Sequence, residues 1–119
     1  VAEGQMISSG ARLFIRDYYA DRGAWPPDNA AIGISNTISG TYVSLVENIN
    51  GVIRITYGNN ASSKILGSTL GLGAVINVNG EIAWICGNRA ITSGFTESVA
   101  GGAAGATTLI PKYLASSCR

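Results

Sequence analysis

The sequence predicts an α+β fold, in which an N-terminal amphipathic helix packs on a four-stranded antiparallel β-sheet and a disulfide closes the C-terminal region. Three observations lead to this prediction. Apolar residues recur every three or four positions near the start of the chain, they alternate with period two in the middle, and the two cysteines bracket the tail. The 119 residues are enough for one domain with a single hydrophobic core. We therefore expect one domain over residues 1–119.

The first predicted element is a helix over residues 1–23. Its apolar face consists of residues at helical spacing, namely Ile7, Ala11, Phe14 and Tyr18, with Met6, Leu13 and Ile15 widening it. Gly23 is suited to end the helix, and Pro26 and Pro27 prevent its continuation. Because no capping residue precedes Val1, the helical pattern is already running where the sequence begins.

An irregular connection over residues 24–40 leads from the helix to the sheet, and Trp25 is expected to anchor it to the body. Four strands follow, each with alternating apolar residues, and they are expected at 41–49, 52–57, 70–78 and 81–86. Two Asn-Gly pairs, Asn50-Gly51 and Asn79-Gly80, predict two hairpin turns of the same type. Two consecutive hairpins make a four-stranded antiparallel meander.

The last predicted region, 86–118, is bounded by Cys86 and Cys118. A pair of cysteines suggests one disulfide, and two free thiols are the alternative. A reactive thiol needs a neighbouring base or cation, and the chain has no histidine, so we expect the disulfide and an oxidising compartment. The small, aperiodic residues 98–108 cannot bury enough apolar surface to become ordered alone. The disulfide is expected to hold them.

Composition disfavours several classes of function. Charged residues make up 13% of the chain, and the net charge is +1, so no strong field attracts nucleic acid. The absence of histidine removes the commonest general base and the commonest metal ligand. No apolar run reaches the length of about 18 residues that a transmembrane helix needs. We expect no enzyme activity, no cofactor and no metal site.

Two side-chain groups on the predicted helix could carry function. Asp17 and Asp21 stand one turn apart and could bind a cation, but a solvated helix face is the preferred interpretation. Arg12 and Arg16 also share a face, with Arg22 further along, and they are candidate contacts to DNA or to another subunit.

Two short motifs carry less weight. The glycine-rich stretch at 101–105 lacks the lysine and hydroxyl residue of a phosphate-binding loop. The triplet Asn60-Ala61-Ser62 matches the acceptor pattern for N-glycosylation, which is common by chance.

The order of the elements and several segments of the sequence resemble those of the type IV pilins, and in particular the periplasmic part of a type IVa major pilin. The resemblance covers nearly the whole chain. It is carried by Val1–Gly4, Ser9–Ala11, Asp17–Pro26, Ile38–Val43, Gly51–Gly58, Ile82–Cys86 and Ile110–Arg119. Members of the family also carry a strongly apolar N-terminal helix half and a cleaved leader, which this sequence lacks. The resemblance therefore implies an N-terminally truncated form.

The resemblance implies a structural function. Pilins anchor in the inner membrane through the N-terminal helix and then polymerise with copies of themselves, through an assembly machinery, into filaments on the cell surface. Such filaments adhere to host or abiotic surfaces, drive twitching motility and often take up DNA. The helix-to-sheet connection and the disulfide-bounded region supply subunit contacts in this fold. The alternative hypothesis is a minor pilin or pseudopilin that binds a ligand such as DNA.

Overall fold

The computed structural model describes residues 2–33, 40–114 and 118–119, and for residues 2–7 it describes the backbone alone. A long helix, α1, comes first, and a sheet and a second short helix follow. The elements are α1 (Ala2–Arg22), β1 (Val43–Ile49), β2 (Val52–Tyr57), β3 (Thr69–Ile76), β4 (Ile82–Cys86), β5 (Thr96–Glu97) and α2 (Gly102–Gly105). Single 3₁₀ turns lie at Ala30–Ile32 and Pro111–Tyr113.

The sheet has the predicted antiparallel meander, in the order β1-β2-β3-β4. A fifth strand, which the sequence did not indicate, pairs with the end of β3 through Val75 and Glu97. Strand β2 pairs with β3 only as far as Gly73, and β5 pairs with the part of β3 that follows. Strand β5 therefore lies in line with β2, beyond the turn between β1 and β2. The two-residue strand β5 is too short for a periodic signal, and this explains why the sequence did not reveal it.

The two hairpin turns differ, and the prediction of one shared type is wrong. Asn50 (φ 52°) and Gly51 (φ 87°) both adopt the left-handed conformation that a type I′ turn requires. In the second turn only Gly80 has a positive φ, and the Asn77 side chain accepts hydrogen bonds from the backbone of Asn79 and Glu81. Because Asn77 turns the backbone there, β3 ends at Ile76 instead of continuing to residue 78.

Helix α1 buries a narrower face than the sequence predicted. Ala11 and Ile15 enter the core, but Leu13 is 54% exposed and Phe14 is 49% exposed. The expectation that Phe14 lies on the buried face is therefore wrong. The sheet covers only the stripe of the helix that faces it, and the periodicity of a sequence cannot tell which part of a wide apolar face is covered.

One main cluster of buried side chains joins α1, the sheet and the C-terminal segment. Its members are Ala11, Ile15, Val43, Val46, Ile53, Ile55, Tyr57, Leu70, Leu72, Leu109, Leu114 and Cys118. No helix in the described part of the chain combines the length and apolar character needed to cross a bilayer.

The glycine- and alanine-rich insert is ordered on the sheet. Its helix α2 packs on β3, and Ala103 is buried there. A side chain at Gly71 would meet the backbone of Ala103, so the bare backbone at Gly71 is what permits this close approach. The insert is therefore held by the contact of α2 with β3 in addition to the expected disulfide.

Candidate functional site

The predicted bond between Cys86 and Cys118 is present, with an S–S distance of 1.98 Å and a Cα–Cα distance of 4.6 Å. Cys86 is the last residue of β4, and Cys118 is buried in the main core. Asn88 donates a backbone hydrogen bond to the carbonyl oxygen of Cys118 (2.9 Å), next to the disulfide. The C-terminal segment is thus held to the end of β4 by covalent and backbone contacts together.

Threonine side chains cover the edge of β3 where no neighbouring strand protects it. Thr108 Oγ1 accepts a hydrogen bond from the backbone of Thr69 (2.7 Å), and Thr107 Oγ1 accepts one from Gly71 (2.9 Å). The backbone of Thr108 donates in return to Thr69 (2.9 Å). The disulfide-bounded region therefore closes a strand edge that would otherwise be open to pairing.

The helix-to-sheet connection is fixed by two buried asparagines. Asn29 donates to the carbonyl oxygen of Val46 (3.1 Å) and accepts from the backbone of Asn48. Asn48 donates to the carbonyl oxygens of Pro26 (3.1 Å) and Asp28 (2.9 Å) and accepts from the backbone of Gly51. Four of these hydrogen bonds are buried and the one to Asp28 is partly buried, so the two amides satisfy backbone groups of the turn and strand and attach the connection to β1.

Trp25 adds an apolar contact to the same connection. Its ring centroid lies 4.2 Å from that of Tyr19, and the half-buried Trp25 side chain packs against the main core. The prediction that Trp25 anchors the connection is confirmed. The part of the connection at 34–39, together with residue 1 and residues 115–117, lies outside the described residues.

The three candidate arginines differ in exposure and surroundings. Arg12 is half-buried and Arg16 is exposed on α1. Arg22 lies six residues beyond Arg16, which places it about 120° away round the helix. Its guanidinium stands 4.7 Å from the Tyr18 ring centroid and 4.0 Å from a carboxylate oxygen of Asp21.

The candidate cation and phosphate sites lack the geometry of binding sites. Asp17 and Asp21 are exposed and border an open depression of about 350 Å³ beside Phe14 and Tyr18. Within the described residues, no three side chains of the metal-binding types come together. At the glycine-rich stretch, Glu97 accepts a hydrogen bond from the backbone of Gly101 (3.0 Å), so a carboxylate already occupies a backbone donor that an anion would need.

Comparison with known proteins identifies the family. The sequence model of the pilins, which are bacterial filament proteins, matches residues 1–119. The chain belongs to the pilin family. The helix, the antiparallel sheet and the disulfide of this pilin are the fold that the sequence predicted.

The similar proteins are filament subunits by name. The chain is 34% identical to the fimbrial protein EcpC of Eikenella corrodens, over all of the chain and 71% of that protein. It is 32% identical to the type IV major pilin protein PilE of Neisseria gonorrhoeae, over all of the chain and 73% of that protein. A fimbrial protein of Neisseria meningitidis serogroup A is also 32% identical, again over all of the chain and 74% of that protein.

Sequence reasoning missed the residues that hold the helix-to-sheet connection and the C-terminal region of this pilin to the sheet. Asn29 is 17 and 19 positions away from its partners Val46 and Asn48, and the Asn48 side chain is 22 and 20 positions away from Pro26 and Asp28, so no local motif links them. Gly71 and the threonines Thr107 and Thr108 were also passed over. A glycine within a strand pattern does signal close backbone approach, and that signal could have indicated where the insert packs.

Proposed function

We propose that this pilin is the structural subunit of a type IV pilus and that copies of it polymerise through α1 into extracellular filaments. The observation that carries the proposal is the unequal burial of α1. Ala11 and Ile15 pack on the sheet, while the large apolar side chains of Leu13 and Phe14 remain about half exposed elsewhere on the helix. Exposed apolar side chains of this size are suited to contact neighbouring copies.

The filaments are proposed to serve surface adhesion and twitching motility, with host or abiotic surfaces and the pilus assembly machinery as partners. Before assembly the full-length subunit would reside in the inner membrane through an apolar N-terminal helix. The role is structural and not enzymatic, in keeping with a family of filament proteins. Low charge fits this role, because like subunits pack without strong mutual repulsion.

The test is complementation of a pilin-deficient strain with the full-length gene that contains this sequence. We expect surface filaments in electron micrographs and restored twitching zones on agar. An empty vector provides the negative control, and the strain's original pilin gene the positive one. A full-length protein that is made and exported but yields neither filaments nor motility would overturn the proposed function.

The alternative is a minor pilin or pseudopilin that binds DNA through Arg12, Arg16 and Arg22. Arg12 is half-buried, and Arg22 lies beside Tyr18 and Asp21 of its own helix, which weighs against a common DNA contact. Fluorescence anisotropy with labelled duplex DNA separates the two. Binding that falls with salt and is lost when all three arginines become alanine would support the DNA-binding alternative.

A further inference from the structure

The two Asn-Gly pairs of this pilin lie at hairpin turns that differ in exposure. Asn79 and Gly80 are both exposed at the turn between β3 and β4, whereas Gly51 is buried at the turn between β1 and β2. An Asn-Gly pair is a chemically reactive step of a polypeptide, because glycine has no side chain to shield its backbone nitrogen from the amide carbon of the asparagine. The fold therefore leaves the nitrogen of one pair in water and encloses the nitrogen of the other.

Few contacts hold the exposed pair. The backbone N–H of Gly80 donates to the carbonyl oxygen of Asn77 (3.1 Å), and a side chain built at Gly80 would meet nothing within 4 Å. Within the described part of the chain, the side-chain amide of Asn79 makes no hydrogen bond, and the neighbouring Val78 is 98% exposed. The amide carbon of Asn79 can therefore approach the nitrogen of Gly80 when a single exposed hydrogen bond opens.

The other pair is held on both sides of Gly51. Its N–H donates to the side-chain oxygen of Asn48 (3.0 Å) in the interior, and its carbonyl oxygen accepts from the backbone of Ala74 (3.1 Å). A side chain built at Gly51 would begin only 3.0 Å from Ser98 Oγ. The peptide between Asn50 and Gly51 cannot rotate without breaking these contacts, and a buried N–H that loses its partner has no water to replace it.

We propose that Asn79 is a site of spontaneous deamidation and that the fold protects Asn50 from the same reaction. The backbone nitrogen of Gly80 attacks the side-chain amide carbon of Asn79 and forms a C–N bond, and the amide nitrogen leaves with the proton of Gly80 as ammonia. The product is a cyclic succinimide. Water then opens the ring at either of its carbonyl carbons, which gives aspartate or isoaspartate at position 79. The inference goes beyond the proposed function and does not depend on filament assembly.

The reaction changes both the charge and the backbone of the turn. A neutral amide becomes a carboxylate, so the net charge of the chain falls from +1 to zero. Because Glu81 lies two residues further on, the turn then carries two carboxylates. In the isoaspartate product the main chain is longer by one methylene group. Since Asn79 and Gly80 are exposed and lie outside both strands, we expect the modified protein to remain folded with the thermal midpoint of its parent.

The first experiment follows deamidation of the folded, oxidised 119-residue chain by peptide mapping and mass spectrometry during incubation in mildly alkaline buffer. Chromatography separates the aspartyl and isoaspartyl forms of each peptide. We expect both forms at position 79, because only the succinimide route yields isoaspartate. Deamidation at Asn50 should be slower by at least about tenfold, the factor that corresponds to about 1.4 kcal/mol. Equal rates at Asn50 and Asn79, or aspartate without isoaspartate at position 79, would overturn the proposal.

The matched control is the same chain unfolded in guanidinium chloride with its disulfide reduced. Both Asn-Gly pairs lose their turn structure there, so we expect them to react at similar rates. If neither pair reacted in the folded chain while both reacted in the unfolded one, the turn between β3 and β4 would protect Asn79 as well, and the proposal would be refuted. The same ratio of rates in both states would also refute it, because local sequence and not the fold would then set the difference.

Two variants test the parts assigned to single side chains. Asn79→Gln would have to close a larger and less favourable ring, so it should lose the product at position 79 and leave the rate at Asn50 unchanged. Asn48→Ala removes the acceptor of the Gly51 N–H and should raise the rate at Asn50 without altering the rate at Asn79. Circular dichroism identifies the temperature at which each variant is folded, and the rates are compared there. An unchanged rate at Asn50 in folded Asn48→Ala would contradict the proposed protection.

Discussion

At the scale of single residues, Asn48 has the greatest influence on the connection between helix and sheet. Its buried amide bridges the carbonyl oxygens of Pro26 and Asp28 and accepts from Gly51, so one side chain joins the connection to the first hairpin. Buried backbone groups that lose such a partner are left without water to replace it. The placement of the connection around Pro26 and Asp28 therefore depends on this amide.

We expect Asn48→Ala to lower the free energy of unfolding by about 3 kcal/mol, because two buried backbone groups, at Pro26 and Gly51, and a partly buried one, at Asp28, lose their partner. Urea denaturation followed by tryptophan fluorescence measures the change. Asn88→Ala removes an exposed amide and should change stability by less than about 0.5 kcal/mol. Equal stability of the two variants would show that the Asn48 hydrogen bonds contribute nothing net.

At the scale of elements, the C-terminal region depends on its contacts with β3 and on the disulfide. Helix α2 is only four residues long, far too short to be stable alone. It is held where the bare backbone of Gly71 lets it approach and where Thr107 and Thr108 complete the hydrogen bonding of β3. The disulfide then fixes the far end of the region.

Replacing both cysteines by serine should lower the free energy of unfolding by about 3–4 kcal/mol. The bond joins residues 32 positions apart, and the unfolded chain gains that much loop entropy when it is absent. Chemical denaturation of the variant and of the oxidised parent measures the difference. In the full-length protein, normal filaments from the double serine variant would contradict the view that this bond is needed to clamp the subunit.

At the scale of the whole molecule, α1 buries some of its apolar side chains in the core and leaves others exposed, where they are available for the proposed assembly contact. Ile15 is fully buried beneath the sheet, whereas its neighbours Leu13 and Phe14 are about half exposed. Neighbouring positions of one helix thus differ in role, since Ile15 stabilises the fold and Leu13 and Phe14 remain accessible to other subunits.

We expect the double substitution Leu13→Ser with Phe14→Ser to leave the thermal stability of the 119-residue chain nearly unchanged and to reduce the number of filaments made by the full-length protein. Exposed positions contribute little to folding, but they would lose apolar contact with neighbouring subunits. Ile15→Ser is the contrasting variant and should cost about 2–5 kcal/mol of stability. Filament counts equal to wild type in the Leu13 and Phe14 variant would show that these two side chains take no part in the assembly contact.

The sequence alone was sufficient for the helix, the four main strands, the order of the elements and the resemblance to the pilins. These features depend on local patterns, since helical and alternating periods, Asn-Gly turns and prolines each act over a few residues. The disulfide could also be expected, because a pair of cysteines in a chain without histidine leaves few alternatives.

Tertiary structure alone decided which side of α1 is buried, where the insert packs, and how Asn29 and Asn48 hold the connection. Each of these depends on groups far apart in the sequence, such as Asn29 and Val46, or Gly71 and Ala103. Local periodicity carries no information on such pairs, because their proximity arises only when the strands are laid side by side and the disulfide returns the C-terminus to the sheet.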